Sequence, residues 1–212
     1  MINIQSFTCS PYQENTYILY DETNECVIID PGMYTGAEQN AVAGFIAENK
    51  LNPVMLLNTH CHIDHVFGNK FVFDNYGLPP QFHQGELPLL TAVPSYAPQM
   101  GMQYEVSPLP ENFLPETGTL SFGQSELELI FAPGQSPAHL CFYSRTDNFL
   151  IGGDVLFYGS IGRTDLPGGN FDTLIKSIKE KLFVLPDDCK VYPGHGPATS
   201  IAFEKQHNPF LK

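Results

Sequence analysis

Apolar residues gather through the first thirty positions in three short β-rich runs, at 2–7, 16–20 and 26–29, separated by polar turn material such as Asp21 to Asn24. This predicts an antiparallel opening. The pattern then changes: between residues 37 and 50, Ala41, Val42, Phe45 and Ile46 fall at helical spacing, Pro53 interrupts, and the apolar run at 54–57 reads as a short buried strand. A second helix is expected from about 64 to 76, closed by Gly77 with Pro79 and Pro80. Residues 86–115, rich in Pro and Met, read as a partly helical insertion over one face. Strands are expected again at 126–131, 139–144 and 148–151, followed by a helix at 171–183 and a strand near 190–192. Such a mixture is expected to bury its apolar faces as sheet on sheet with helices outside.

Length and composition narrow the picture. The 212 residues suit one domain spanning 1–212, and 42% apolar with 16% charged residues is ordinary for a packed globular chain. A formal charge of −13 without a local Lys/Arg cluster repels phosphate backbones and anionic lipids, so neither nucleic acid nor a membrane is the expected partner. The start MINIQSFTCSPYQ has no basic segment followed by a long apolar run, and a cytoplasmic location is the expectation. Cys9, Cys26, Cys61, Cys141 and Cys189 are scattered without C-x-x-C spacing, which points to reduced thiols rather than a disulfide framework or a cysteine zinc site.

The chemistry concentrates at Thr59 to His65, THCHIDH, directly after the buried run at 54–57. An isolated histidine is ordinarily a surface or hydrogen-bonded core residue, and His83 and His207 are read that way. His60, His62 and His65 with Asp64 are different, because clustered titratable groups are costly without a cation to compensate them. Imidazole nitrogen and carboxylate oxygen are the ligand types of zinc and similar cations. Cys61 alternates with His60 and His62 in an extended segment, points the other way, and is expected to be a buried, inert thiol.

THCHIDH resembles the HxHxDH signature of the metallo-β-lactamase superfamily, and later segments resemble its other motifs in order. CVIIDPG is similar to the early aspartate motif and implies that Asp30 orients the ligands. APGQSPAH is similar to a glyoxalase-II pattern, with Gln135 standing where a non-ligand histidine is common. LIGGDVLF and YPGHGP complete the set. The resemblance implies an α/β (α+β) four-layer αββα sandwich with mixed sheets. It further implies His60, His62 and His139 on one metal, Asp64, His65 and His195 on a second, and Asp154 bridging. Two divalent ions are therefore expected, zinc first, with iron or manganese as alternatives.

The activity implied by this resemblance is that of a metal-dependent hydrolase using a metal-bound hydroxide, in which Asp64 and Asp154 are catalytic. The loop YGSIGRTDLPGGN, 158–170, is similar to that of compact bacterial glyoxalase-II-type hydrolases, so the expected substrate is a small-molecule hydroxyacyl thioester, with Tyr158 and Arg163 as substrate contacts. Arg163 has a second reading as an internal partner of Asp165. Two alternatives stand beside the thioesterase: a mononuclear-iron persulfide dioxygenase using His60, His139 and Asp154, and a noncatalytic metal-binding module.

Overall fold

The computed structural model describes residues 1–212, which divide into two compact units, Met1–Leu114 with Ser121–Ser125 and Pro115–Leu120 with Glu126–Lys212. In the first unit β1 (Asn3–Cys9) and β2 (Glu14–Tyr20) pair antiparallel in unbroken register from Asn3↔Tyr20 to Cys9↔Glu14. Strand β3 (Glu25–Ile29) continues antiparallel, and the chain crosses through helix α1 (Gly36–Glu48) to β4 (Asn52–Leu57), which lies parallel to β3. After α2 (Ile63–Val66) and α3 (Asn69–Tyr76), the two-residue β5 (Pro80–Gln81) closes the sheet in the order β1-β2-β3-β4-β5.

The strands are apolar on consecutive positions because both faces are buried. Cys26 and Ile28 join Ile18 and Leu56 against Val42 and Ile46 of α1, while Val27, Ile29 and Leu57, which face the other way, are equally inaccessible. Helix α1 starts in a capping box: Thr35 accepts from the Glu38 amide and Glu38 accepts from Thr35 N. Glu38 also accepts from Ser10 N at 2.8 Å and so ties the β1–β2 turn to the helix start.

The helix expected at 64–76 is two helices, α2 and α3, broken at Phe67–Gly68. Gly68 N donates to Pro31 O at 2.6 Å, and a Cβ there would lie 2.8 Å from that oxygen, so the chain turns aside to meet the end of β3. The insertion expected at 86–115 supplies α4 (Leu87–Tyr96), whose Leu90 and Val93 pack with Cys61, Ile63, Val66 and Phe82.

The second unit carries β6 (Thr117–Phe122), β7 (Ser125–Phe131), β8 (Leu140–Ser144) and β9 (Phe149–Gly153), apart from the β6–β7 tip that groups with the first. A short hairpin of β10 (Leu156–Phe157) and β11 (Ser160–Ile161) precedes α5 (Phe171–Ser177), which runs on as a π-helical turn, Ile178–Leu182. Then β12 (Lys190–Pro193) joins β9 in parallel, β13 (Thr199–Ser200) pairs with it, and α6 (Ile201–His207) ends the chain, giving the order β13-β12-β9-β8-β7-β6. Leu174, Ile178 and Leu182 pack on Cys141, Leu150 and Val191. The sequence pattern did not reveal β6, β10, β11, β13 or α6; a two-residue strand has no period to read, and α6 is seven residues long. No helix is long and apolar enough to cross a membrane.

Candidate metal centre

In the first unit Asp30 follows β3 and His60 follows β4, so both leave the carboxyl ends of parallel neighbours, where open α/β sheets place ligands. The ladder continues one residue beyond β4, with Asn58 N donating to Gln81 O at 3.0 Å. Beyond it, buried side chains hold the backbone. Thr59 N donates to Asp30 Oδ1 at 2.7 Å, and Cys61 N donates to Glu86 Oε2 at 3.0 Å. Asn58 Nδ2 donates to His65 O at 3.0 Å, fixing the far end of the loop.

Three imidazoles converge on this loop: the His60 ring centroid lies 4.7 Å from that of His62 and 4.1 Å from that of His65. The proton positions follow from the hydrogen bonds. Thr59 Oγ1 gives its hydrogen to Asp30 Oδ2 at 2.6 Å, so the 3.0 Å contact with His60 Nδ1 requires the ring nitrogen to donate. His65 Nδ1 lies 3.1 Å from the Asp30 carboxylate and donates likewise. Both rings then carry the proton on Nδ1 and the lone pair on Nε2, the form in which imidazole binds a cation. Asp30 oxygen and the His60 and His65 nitrogens lie within 4.8 Å of one another, a spacing open to a metal, while Asp30 also bonds the His65 ring and Thr59, and Thr59 the His60 ring.

Asp30 reaches Thr59 from a left-handed backbone, φ 48°, a conformation that Asp tolerates better than most residues. Glu14, fully buried, accepts from Thr16 Oγ1 at 2.9 Å and stands 3.9 Å from His65 Nδ1. Burial pushes its carboxyl well above the usual range, against the pull of His65. Only glycine fits at Gly32, where a Cβ would lie 2.0 Å from Glu14 Oε2 and 2.6 Å from Asp64 O. Asp64 lies in the first turn of α2, with Oδ2 3.8 Å from His65 Nε2. Cys61 is buried among apolar side chains and its thiol is pushed up by burial, with the Glu86 carboxylate adding to the shift.

The second unit repeats the device. Asp154 follows β9 and His195 follows β12, again the carboxyl ends of parallel neighbours, with Gly194 N donating to Gly153 O at 2.8 Å. His195 Nε2 lies 3.6 Å from Asp154 Oδ2, and Asp154 N donates to His139 Nε2 at 3.1 Å. Gln135 Nε2 reaches Asp154 Oδ2 at 3.4 Å. The sequence-predicted residues therefore gather in two groups: His60, His62, Asp64 and His65 over Asp30 in one unit, His139, Asp154 and His195 in the other. Arg163 makes two 2.7 Å bonds to the Asp165 carboxylate on an exposed loop, and the Tyr158 ring stacks on Phe203 with centroids 4.6 Å apart. His83 Nδ1 accepts from Gly85 N and His207 packs on Phe203, as ordinary histidines do.

Sequence reasoning missed Glu14, Thr59 and Glu86. Glu14 lies just before the apolar run of β2 without a signal of its own, and nothing in the chain marked Glu86, which lies twenty-five positions from its partner.

A profile of the Metallo-beta-lactamase superfamily matches residues 9–195. Hydroxyacylglutathione hydrolase GloC of Haemophilus influenzae is 34% identical over 212 residues, covering 99% of this chain and 98% of that protein. The crystal structure of BLEG-1 B3 metallo-beta-lactamase superposes with a TM-score of 0.91 at 33% identity over 99% of this chain and 100% of the other. That of TTHA1623 in a di-iron-bound form does so with 0.88 at 36% identity over 98% and 100%. The chain therefore belongs to the metallo-β-lactamase superfamily and is a metallo-hydrolase of mixed α/β fold.

Proposed function

We propose that this protein hydrolyses hydroxyacyl thioesters, adding water across the acyl–sulfur bond to release a hydroxy acid and a thiol. His60, His62 and His139 would hold one divalent cation and Asp64, His65 and His195 a second, with Asp154 shared because a carboxylate has an oxygen for each. Zinc is the first expectation, iron and manganese the alternatives; TTHA1623 is described with two irons. When bound, such cations acidify water toward neutral pH and polarise a carbonyl.

The observation that carries the reading is the pair of Nδ1-protonated rings on Asp30 and Thr59, a ligand orientation set before any cation arrives. Around it, Asp64 hydrogen-bonds the attacking water. Arg163, one bidentate fork on an exposed loop, exchanges Asp165 for a substrate carboxylate. Tyr158 offers a half-exposed ring to the thiol portion. The GRTDLPGG loop and the similarity to GloC favour a thioester over other acyl compounds. Five free, buried thiols suit a reducing, cytoplasmic setting.

The test is a panel assayed with metal-loaded protein and an Asp154→Ala control: hydroxyacyl thioesters of glutathione and of smaller thiols, a β-lactam, and a persulfide with oxygen uptake followed. Thioester turnover above the control is expected, with two metals per chain by elemental analysis. Turnover of the β-lactam alone, oxygen uptake with one iron per chain, or metal binding without turnover would each replace the thioesterase reading.

A further inference from the structure

We infer that Glu86 is a positioning residue for the histidine loop, and that this is what the segment before α4 contributes to the metal centre. The inference rests on the metal-binding reading above. Glu86 is fully buried and bonds the backbone of Cys61, a member of the apolar cluster that also holds Ile63, Val66, Phe82 and Leu90. Burying a carboxylate among such side chains costs several kcal/mol unless it is engaged. It stands at the N-cap of α4, where a carboxylate ordinarily bonds the first-turn amides, yet it makes no cap bond. Its Oε2 instead accepts from Cys61 N, 3.0 Å away.

That amide needs an acceptor because the sheet ladder stops at Asn58. Past that point alternate amides of the loop, Thr59 and Cys61, are each held by a buried carboxylate, Asp30 from the end of β3 and Glu86 from the start of α4. His60 lies between the two clamped peptides and His62 follows directly. The direction of both imidazoles therefore depends on how the Thr59 and Cys61 peptides are held. Asp30 also accepts from the His65 ring, whereas the Glu86 bond reaches the loop at a backbone amide and so acts on ring direction through the peptide.

Cobalt(II) binding tests this, read by titration and by the visible absorption of the bound ion. Glu86→Ala is expected to weaken the first cobalt by 10- to 100-fold and to change its spectrum, as the loss of an orienting partner does. Glu86→Gln, which keeps an acceptor oxygen, is expected to stay within about 3-fold with the wild-type spectrum. Leu90→Ala, a packing change in the cluster that holds Cys61, is expected to lower the urea midpoint and leave cobalt affinity unchanged. If Glu86→Ala does not fold, Glu86→Asp, with its carboxylate drawn back by one methylene, is held to the same criterion. Unchanged affinity and spectrum in the Glu86 variant, or an equal loss in Leu90→Ala, overturns the inference alone. Wild-type protein that binds no cobalt overturns it together with the metal-binding reading.

Discussion

The two ligand-bearing regions are built on one plan and stabilised in different ways. Each places its residues after parallel neighbours, β3 and β4 in the first unit, β9 and β12 in the second. In the first, buried carboxylates take over the backbone amides where the ladder ends, and His60 and His65 are fully inaccessible. In the second, close backbone contact does that work: Gly162 packs so tightly that a Cβ would lie 1.9 Å from Asp154 O, and the His195 side chain keeps 27% of its surface exposed. A ligand loop can thus be oriented by charge-assisted hydrogen bonds or by steric closeness. The two are expected to respond differently to mutation.

Removing the central carboxylate should break the contrast most severely. Asp30→Ala strands Thr59 N, Thr59 Oγ1 and His65 Nδ1 in the interior, and a loss of about 3–5 kcal/mol in urea unfolding is expected; a loss under 1 kcal/mol would mean the brace is decorative. Next comes the steric device: Gly162→Ala should cost about 3 kcal/mol and reduce metal occupancy at Asp154, whereas Gly36→Ala, with nothing within 4 Å, should change stability by less than about 0.5 kcal/mol.

A smaller effect separates charge from shape away from the site. Asp21 is nearly inaccessible, and although burial raises its pKa, hydrogen bonds from Thr23, Gln124 and Ser125 prevail and lower it from 3.8 to about 2. A depressed carboxyl contributes stability above its unfolded pKa and loses it as pH falls through the folded value, so about 2 kcal/mol should disappear between pH 4 and pH 2. Asp21→Asn should flatten that part of the stability curve. Last, Arg163→Ala should leave stability within about 0.5 kcal/mol, because the pair with Asp165 is exposed. It should raise KM about 10-fold for thioesters bearing a carboxylate and leave uncharged ones unaffected, by initial-rate comparison; equal effects on both would assign Arg163 to the loop alone.

Much of this was legible along the chain. The three-imidazole loop stood out because ligand types crowd together, Asp154 and His195 only through the resemblance of their motifs, and β2, β3 and β4 as β-rich apolar runs. Asp30 was legible only through its motif. The break between α2 and α3 was hidden, since helical spacing runs straight through Phe67–Gly68 and the cause is a carbonyl at Pro31. Glu86 was hidden for the same kind of reason. A charged residue at a helix start reads as a solvent-facing cap, and only the folded chain turns it inward.

By itself the sequence determined which elements form and which residues carry chemistry, because periodicity and local clustering depend on neighbours along the chain. The tertiary structure alone decided which polar group answers which amide and which ring nitrogen keeps its proton. Those choices are made by atoms distant in sequence, competing for partners where no water can supply one.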